Sequence, residues 1–236
     1  MSDVSVLTQL GHFLLIITLP TLAFYIGYLI ITKAFNDMGF SSIEAIIIVF
    51  VSFILGAGIV DEYVGISFAN IHLFTYGNWL VGINTGGAII PIILSIYLTI
   101  KNKLMKNKLQ ALKVLLGIAI VAIITYFVTS PKPERGIVSE HLLWLLPVFF
   151  ASLASIFLMW KDKHKAAPFA YISGTMGVLI GADVGHLWEL VRIPVTSTRN
   201  AVIGGAVIFD MVFITGILAV IVDGILIYQE KRKSST

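Results

Sequence analysis

Two aspartates lie inside apolar segments of the sequence, which makes them the first candidates for chemistry. Asp183 occurs in LIGADVGHL and Asp210 in GGAVIFDMVF. An ionisable side chain near the middle of a membrane costs on the order of 3 kcal/mol or more, so its presence suggests a function. The two segments would be antiparallel helices joined by residues 189–200. Asp183 lies about five residues and Asp210 about nine residues from that loop, which places them within roughly 6 Å of the same depth.

Two carboxyls at one depth on adjoining helices could face each other. Such a pair does not readily ionise twice, so it shares a proton and can activate a water molecule, as an aspartic dyad does. The alternative is that Asp183 and Asp210 each bond a different helix and only specify packing. The sequence leaves both interpretations open.

Glycines and one amide accompany the aspartates. VGINTGGAIIP, at the start of an apolar segment, is typical of a broken or closely packed helix, and Asn84 could bond a substrate backbone, an aspartate or a neighbouring helix. Ser173, Gly177, Gly181 and Gly185 recur every four residues and predict a face for close helix contact, opposite the face that carries Asp183. The residues predicted to bind substrate are Asn84, Gly86, Gly87, Gly181, Gly204 and Gly205.

Three other polar residues have weaker claims to chemistry. Glu44 after Ser41 resembles a helix N-terminal capping box. Asp223 is expected to reach the lipid headgroups or pair with a basic loop. His186 follows Asp183 on the same helix face, but the sequence offers no convincing third ligand, so we predict no metal site and no cofactor.

The composition indicates which solvent surrounds these residues. Hydrophobic residues make up 58% of the 236 positions and charged residues 12%, with a mean hydropathy of +0.96. A soluble domain carries roughly 25% charged residues, so lipid must cover much of this chain. The absence of cysteine excludes disulfides and thiolate chemistry. The small net charge of +3 does not indicate a nucleic-acid partner.

Apolar segments of about 20 residues predict the membrane-spanning helices. We expect about seven, in an all-α transmembrane bundle that forms a single polytopic domain over residues 1–236 of a multi-pass cell-membrane protein. The segments are 6–32, 43–60, 82–100, 108–129, 141–160, 167–188 and 201–228.

Basic residues predict the orientation of the bundle. Three clusters lie on one side if there are seven spans, and the positive-inside rule makes that side cytoplasmic, with the N-terminus outside and the C-terminus in the cytoplasm. The clusters are Lys101, Lys103, Lys106 and Lys108; Lys161, Lys163 and Lys165; and Lys231, Arg232 and Lys233.

The stretch 63–79 does not have a helical pattern. Val64, Ile66 and Phe68 alternate with small or polar residues, which is the period of a strand. The stretch predicts a short outer hairpin or a re-entrant segment between the second and third helices. The alternative is an aromatic belt in which Tyr76 and Trp79 anchor the next helix at the membrane surface.

Three sequence stretches resemble a known family. NTGGAIIPIILSIYL, AYISGTMGVLIGADVGHL and IGGAVIFDMVFITGILA are similar to an uncharacterised prokaryotic family of multi-pass membrane proteins, known as a domain of unknown function. The resemblance covers roughly a third of the chain. It implies that Asn84, Gly86, Gly87, Asp183 and Asp210 are family features, and it implies no activity.

A looser resemblance connects the chain to intramembrane aspartyl proteases of the presenilin and prepilin-peptidase class. GADVGHL looks like the glycine–aspartate motif of the archaeal prepilin peptidases, and GGAVIFDMVF looks like a stretched presenilin motif. Phe209 stands where that motif has glycine, no Pro-Ala-Leu element follows, and the predicted topology puts both aspartates in the outer half of the membrane.

The sequence therefore supports three hypotheses about function. In the first, Asp183 and Asp210 act as general base and acid on a water that attacks a transmembrane peptide, which Asn84 and the glycines hold unwound. In the second, a transporter or channel uses the same aspartates to bind a small ion or a proton. In the third, the protein is a non-catalytic membrane scaffold. Membrane lipid is a partner in all three, and the oligomeric state is unknown.

Overall fold

A computed structural model describes residues 2–205 and 210–233 of the chain, and it is mostly helical. The helices are α1 (Ser2–Asp37), α2 (Ser42–Gly56), α3 (Ile59–Val64), α4 (Ile90–Lys101), α5 (Lys108–Val128), α6 (Leu145–Leu158), α7 (Ala166–Val178), α8 (Gly185–Val191) and α9 (Met211–Lys233). The strands in this part of the chain are β1 (Asn70–Tyr76), β2 (Trp79–Asn84), β3 (Thr129–Lys132), β4 (Gly136–Ser139) and β5 (Arg199–Ile203). The chain also has two π-helical turns: Thr85–Ile89 precedes α4, and Leu179–Val184 joins α7 to α8.

Four helical segments in the described residues are long and apolar enough to cross a membrane, so this is a membrane protein. They are Gly11–Asp37, Lys108–Val128, His141–Leu158 and Lys163–Val191. Three shorter apolar helices, Ser42–Gly56, Thr85–Lys101 and Met211–Ile225, overlap the remaining predicted segments. Seven spans and their orientation stay predictions.

Local sequence signals set several helix starts. The backbone N–H of Glu44 donates to Ser41 Oγ at 3.2 Å, and the N–H of Ser41 donates to Glu44 Oε2 at 2.7 Å. This reciprocal capping box, predicted from the sequence, satisfies two N–H groups that α2 would otherwise leave unpaired. At the start of α5, the Asn107 side-chain oxygen accepts the backbone N–H of Gln110 at 2.8 Å and so caps this helix through one hydrogen bond.

The segment containing α7 lies at the centre of the bundle. In its apolar window 72% of residues are buried, against 0% for α1, whose side chains are largely exposed. Its small residues permit this, as predicted: a Cβ placed at Gly177 would lie 2.5 Å from Cβ of Val121, and one at Gly181 would lie 2.2 Å from the carbonyl oxygen of Ala122. The small-residue face therefore packs on α5.

A hairpin lies between α2 and α4, as the sequence suggested, but it is displaced along the chain. Residues 59–64 are helical, and the alternation of Val64, Ile66 and Phe68 is not a strand. The hairpin is formed by β1 and β2, which pair antiparallel around Gly77 and Asn78. Trp79 is only 2% exposed and its indole N–H donates to the carbonyl of Ile193 at 3.0 Å, so it is not a surface anchor.

Two strand pairings add β structure to the predicted all-α fold. β5 pairs parallel with β2, which gives a sheet with the order β1-β2-β5. β3 and β4 form a separate antiparallel hairpin. The predicted start of the last helix at residue 201 is therefore wrong: residues 199–203 form β5, and α9 begins at Met211. Asp210 consequently lies immediately before the first residue of α9 and not about nine residues inside a helix.

Candidate functional site

Asp183 lies in the π-helical turn Leu179–Val184, where the helix is widened. A π turn inserts a residue into the helix and is frequently found at functional sites. The Asp183 side chain is half-buried, and its Oδ2 accepts the backbone N–H of Gly204 at 2.8 Å. This bond links the α7–α8 segment to the turn that follows β5.

Asp210 caps the N-terminus of α9. Its Oδ1 accepts the N–H of Val212 at 2.8 Å, and its carbonyl oxygen accepts the N–H of Ile214 at 3.0 Å. An aspartate at this position satisfies an unpaired N–H group, and the positive end of the helix dipole stabilises its negative charge. The backbone thus holds both aspartates, each through one N–H group to a carboxylate oxygen.

Asp183 and Asp210 line the same cavity, which has a volume of about 510 Å³. Their negative charges repel each other across this cavity. The remaining walls come from β5, from residues 133–137 before and within β4, and from Leu187 and Leu190 of α8. The structure therefore brings together the two residues that the sequence placed at one depth.

The glycines flanking the aspartates allow three backbone segments to meet. Gly204 has a positive φ of +69°, and a Cβ there would lie 2.6 Å from the carbonyl carbon of Gly87 and 2.7 Å from the nitrogen of Ala88. Only glycine adopts this conformation and this close approach without strain. The turn after β5 is thereby pressed against the π turn before α4, with its N–H directed at Asp183.

Asn84 is fully occupied by the protein and does not line the cavity. Its amide donates to the Gly56 carbonyl and to Asn70 Oδ1, each at 2.9 Å, and its oxygen accepts the N–H of Gly87 at 2.8 Å. The side chain is 1% exposed. Its predicted contact with substrate is therefore corrected: Asn84 ties β2, α2 and the π turn together.

Two other predicted substrate-binding glycines also have packing roles. A Cβ at Gly86 would lie 1.9 Å from the carbonyl oxygen of Ser52, so α2 crosses directly over it. Gly181 faces α5, away from the cavity. Of the six residues predicted to bind substrate, Gly205 is the one that contributes to the described cavity wall. Gly204 packs on Gly87, and its N–H donates to Asp183.

Two arginines in the cavity wall were not selected from the sequence. Arg135 and Arg199 both line the cavity, and Arg199 Nη1 donates to the carbonyl of Pro133 at 2.8 Å, which holds the β3–β4 turn against β5. Arg135 is far from both aspartates along the chain, and Arg199 reaches the cavity through the pairing of β5 with β2, which no local pattern indicates.

His186 belongs to a separate network. Its Nδ1 lies 2.9 Å from Glu189 Oε2, its Nε2 lies 3.0 Å from the Tyr126 carbonyl oxygen, and its ring stacks on Tyr126 with centroids 4.3 Å apart. The Tyr126 hydroxyl donates to Glu189 Oε1 at 2.6 Å. These contacts fasten α8 to the end of α5 and use both ring nitrogens. Among the residues that the structure describes, no cluster of three or more metal-ligating side chains occurs.

Comparison with known proteins shows the family of the chain. Residues 61–222 match the model of a family described as Protein of unknown function (DUF1614), a range that includes the hairpin, both π turns and both aspartates. No curated protein and no solved structure matches the chain. The match extends over well more than half of the chain, and it agrees with the resemblance to a domain of unknown function seen in the sequence. The chain therefore belongs to the DUF1614 family of proteins of unknown function.

Proposed function

We propose that this protein is a membrane-embedded aspartyl hydrolase that cleaves a peptide bond with Asp183 and Asp210. The observation that supports the proposal is the shared cavity, in which two carboxyls interact at a site large enough for a water molecule and a peptide segment. A pair of nearby carboxyls that holds one proton can act as acid and base at once.

The surroundings of the two aspartates favour different roles for them. Asp210 caps α9, where the helix dipole favours the ionised form, so it would be the general base that removes a proton from water. Asp183 would hold the shared proton and donate it to the peptide carbonyl oxygen as the water oxygen bonds to the carbonyl carbon. Collapse of this intermediate would break the C–N bond, with a proton passing to the leaving nitrogen.

The cavity wall favours an extended substrate. Residues 199–203 of β5 line the cavity, and β5 is the last strand in the order β1-β2-β5. An extended peptide can pair with the free edge of a strand through main-chain hydrogen bonds. A substrate helix would have to unwind locally to do this, which would expose its scissile bond to the aspartates.

The test is a cleavage assay on the full chain in proteoliposomes with a panel of labelled single-span peptides. Asp183→Asn and Asp210→Asn should each lower the cleavage rate at least about 100-fold, the contribution typical of a general acid or base. Asp162→Asn is the matched control because Asp162 lies in the turn before α7, outside the described cavity wall. Cleavage that survives both active-site substitutions would exclude the dyad.

A second candidate function is ion or proton movement through the bundle. It is favoured by buried hydroxyls on α4, α7 and α9 that have no hydrogen-bond partner within the described residues, namely those of Ser95, Tyr171, Thr175 and Thr215. Thr215 follows Asp210 by five residues on α9, so a polar path would lead inward from the cavity. Proteoliposomes with an internal pH dye distinguish proton transport from peptide cleavage. A proton flux in the wild type that Asp210→Asn abolishes, in a protein that cleaves no peptide, would favour transport.

A further inference from the structure

A third aspartate lies deep in the bundle and takes no part in the cavity. Asp223 on α9 is 1% exposed, and neither of its carboxylate oxygens has a hydrogen-bond partner of standard geometry among the described residues. It follows Asp210 by 13 positions in the sequence, or about 20 Å along the helix. Its burial contradicts the expectation that it reaches the headgroups, and no described basic side chain pairs with it.

Oxygen atoms from two other helices approach this carboxylate. On α6, Ser155 lies beside Asp223, and its hydroxyl donates to the Ala166 carbonyl at 2.8 Å. On α1, Asp37 Oδ2 would lie 3.2 Å from a Cβ placed at Gly224, the next residue of α9. Three oxygen-bearing side chains from three helices thus lie close together, and the Lys33 ammonium donates to the Asp37 carboxylate.

The charges at this place do not balance. Asp37 is paired with Lys33, so these two groups together are neutral. Asp37 is the charged residue that acts on Asp223, and it is also an anion. Asp223 therefore contributes one uncompensated negative charge in a buried position, which is costly unless a cation or a proton neutralises it.

We propose that Asp223, Asp37 and Ser155 form a sodium-binding site where α1, α6 and α9 meet. Oxygen atoms, those of carboxylates above all, are the ligands that hard cations prefer. One monovalent ion restores neutrality, whereas a divalent ion would leave an excess positive charge. The bound ion would add to the packing that already joins the end of α1, where Ala34 and Phe35 are buried, to the rest of the bundle.

The site can be tested by heat unfolding of the full chain in detergent, in NaCl against choline chloride at equal ionic strength. A ligand that binds only the folded state raises the melting temperature with its concentration, so Na⁺ should raise it and choline should not. Asp223→Asn should abolish the response to Na⁺ while keeping the shape of the side chain. Ser155→Ala, which removes one ligand and leaves the charge, should raise the half-saturating Na⁺ concentration about tenfold.

The control separates this site from the proposed hydrolase. Asp183→Asn should keep the full response to Na⁺, because Asp183 lies in the cavity and not among these three residues. A wild-type protein whose melting temperature is the same in Na⁺ and choline would overturn the proposal, as would an Asp223→Asn protein that still responds. If acidification stabilises the wild type and Na⁺ has no effect at any pH, the charge is neutralised by a proton and the sodium site is refuted. If Asp223→Asn does not fold, Ser155→Ala tests the proposal instead. A half-saturating Na⁺ concentration equal to that of the wild type would refute the sodium site.

Discussion

Replacing Gly204 with alanine would show how tightly the backbone around the aspartates is packed. Gly204 has a φ of +69°, which costs an L-residue about 1 to 2 kcal/mol. The added Cβ would also lie 2.6 Å from the carbonyl carbon of Gly87, and backbone atoms cannot move aside as a flexible side chain would. Overpacking of this kind costs about 1 to 3 kcal/mol. The two contributions together predict a loss of about 2 to 5 kcal/mol in the free energy of unfolding.

Gly77→Ala is the matched control for this substitution. Gly77, in the turn between β1 and β2, also has a positive φ of +57°, but no atom lies within 4 Å of a Cβ placed there. It should therefore lose only the conformational part, about 1 to 2 kcal/mol. The difference between the two variants isolates the contact between the turn after β5 and the π turn before α4.

The comparison can be measured by denaturant or heat unfolding of both variants in one detergent. For a chain of this size, 1 kcal/mol shifts the melting temperature by about 2 to 4 °C. We expect Gly204→Ala to melt lower than Gly77→Ala and to lose cleavage activity as well, because the N–H of Gly204 bonds to Asp183. If the two variants unfold alike, the close approach of Gly204 to Gly87 does not exist and the described geometry of the site is wrong.

Three further substitutions test the surroundings of the site. Asn84→Ala should lower the free energy of unfolding by about 2 to 4 kcal/mol, because it removes the three hydrogen bonds of a buried side chain and leaves their partners unsatisfied. Chemical denaturation would measure this loss. Gly86→Ala should push the π turn away from Ser52 of α2 and cost more stability than Asn84→Ala, because the added Cβ would lie 1.9 Å from the Ser52 carbonyl oxygen. Equal losses of stability would contradict the close contact between Gly86 and α2. The Lys132 ammonium donates a hydrogen bond to Glu140 and thereby lowers the pKa of that exposed carboxyl. The ion pair therefore contributes to stability at neutral pH and is lost as the pH falls through the lowered pKa. Lys132→Gln should therefore raise the pKa of Glu140 toward its ordinary value in an NMR titration.

The two π turns explain how a helical bundle can hold a polar cavity. Thr85–Ile89 and Leu179–Val184 each interrupt the regular helical bonding beside the site. At the first, Asn84 bonds a backbone N–H group, and at the second, Asp183 is turned toward the backbone of Gly204. Irregular backbone in a membrane protein is tolerated where it is buried in protein or lines a cavity. The first turn contains the buried Gly86, Gly87 and Ala88, and the second carries Asp183 into the cavity wall.

Much of the architecture could be predicted because its causes are local in the sequence. Composition alone identifies a membrane protein, since 12% charged residues cannot cover the chain in water. The capping box at Ser41 and Glu44 depends on residues three positions apart, and the small-residue face of α7 recurs every four residues. An aspartate in an apolar segment is likewise visible without a structure, which is how Asp183 and Asp210 were found.

Tertiary structure decided the features that depend on residues far apart in the chain. The apolar stretch after residue 200 reads as one helix, yet its first residues form β5 because β2, more than a hundred residues earlier, offers a strand edge. That pairing makes Asp210 a helix cap and brings Arg199 into the cavity wall. Asn84 could have faced a substrate, but Gly56 and Asn70 occupy its amide. The periodicity of a segment records which face is apolar, whereas the partner of each polar group is determined only when distant segments pack together.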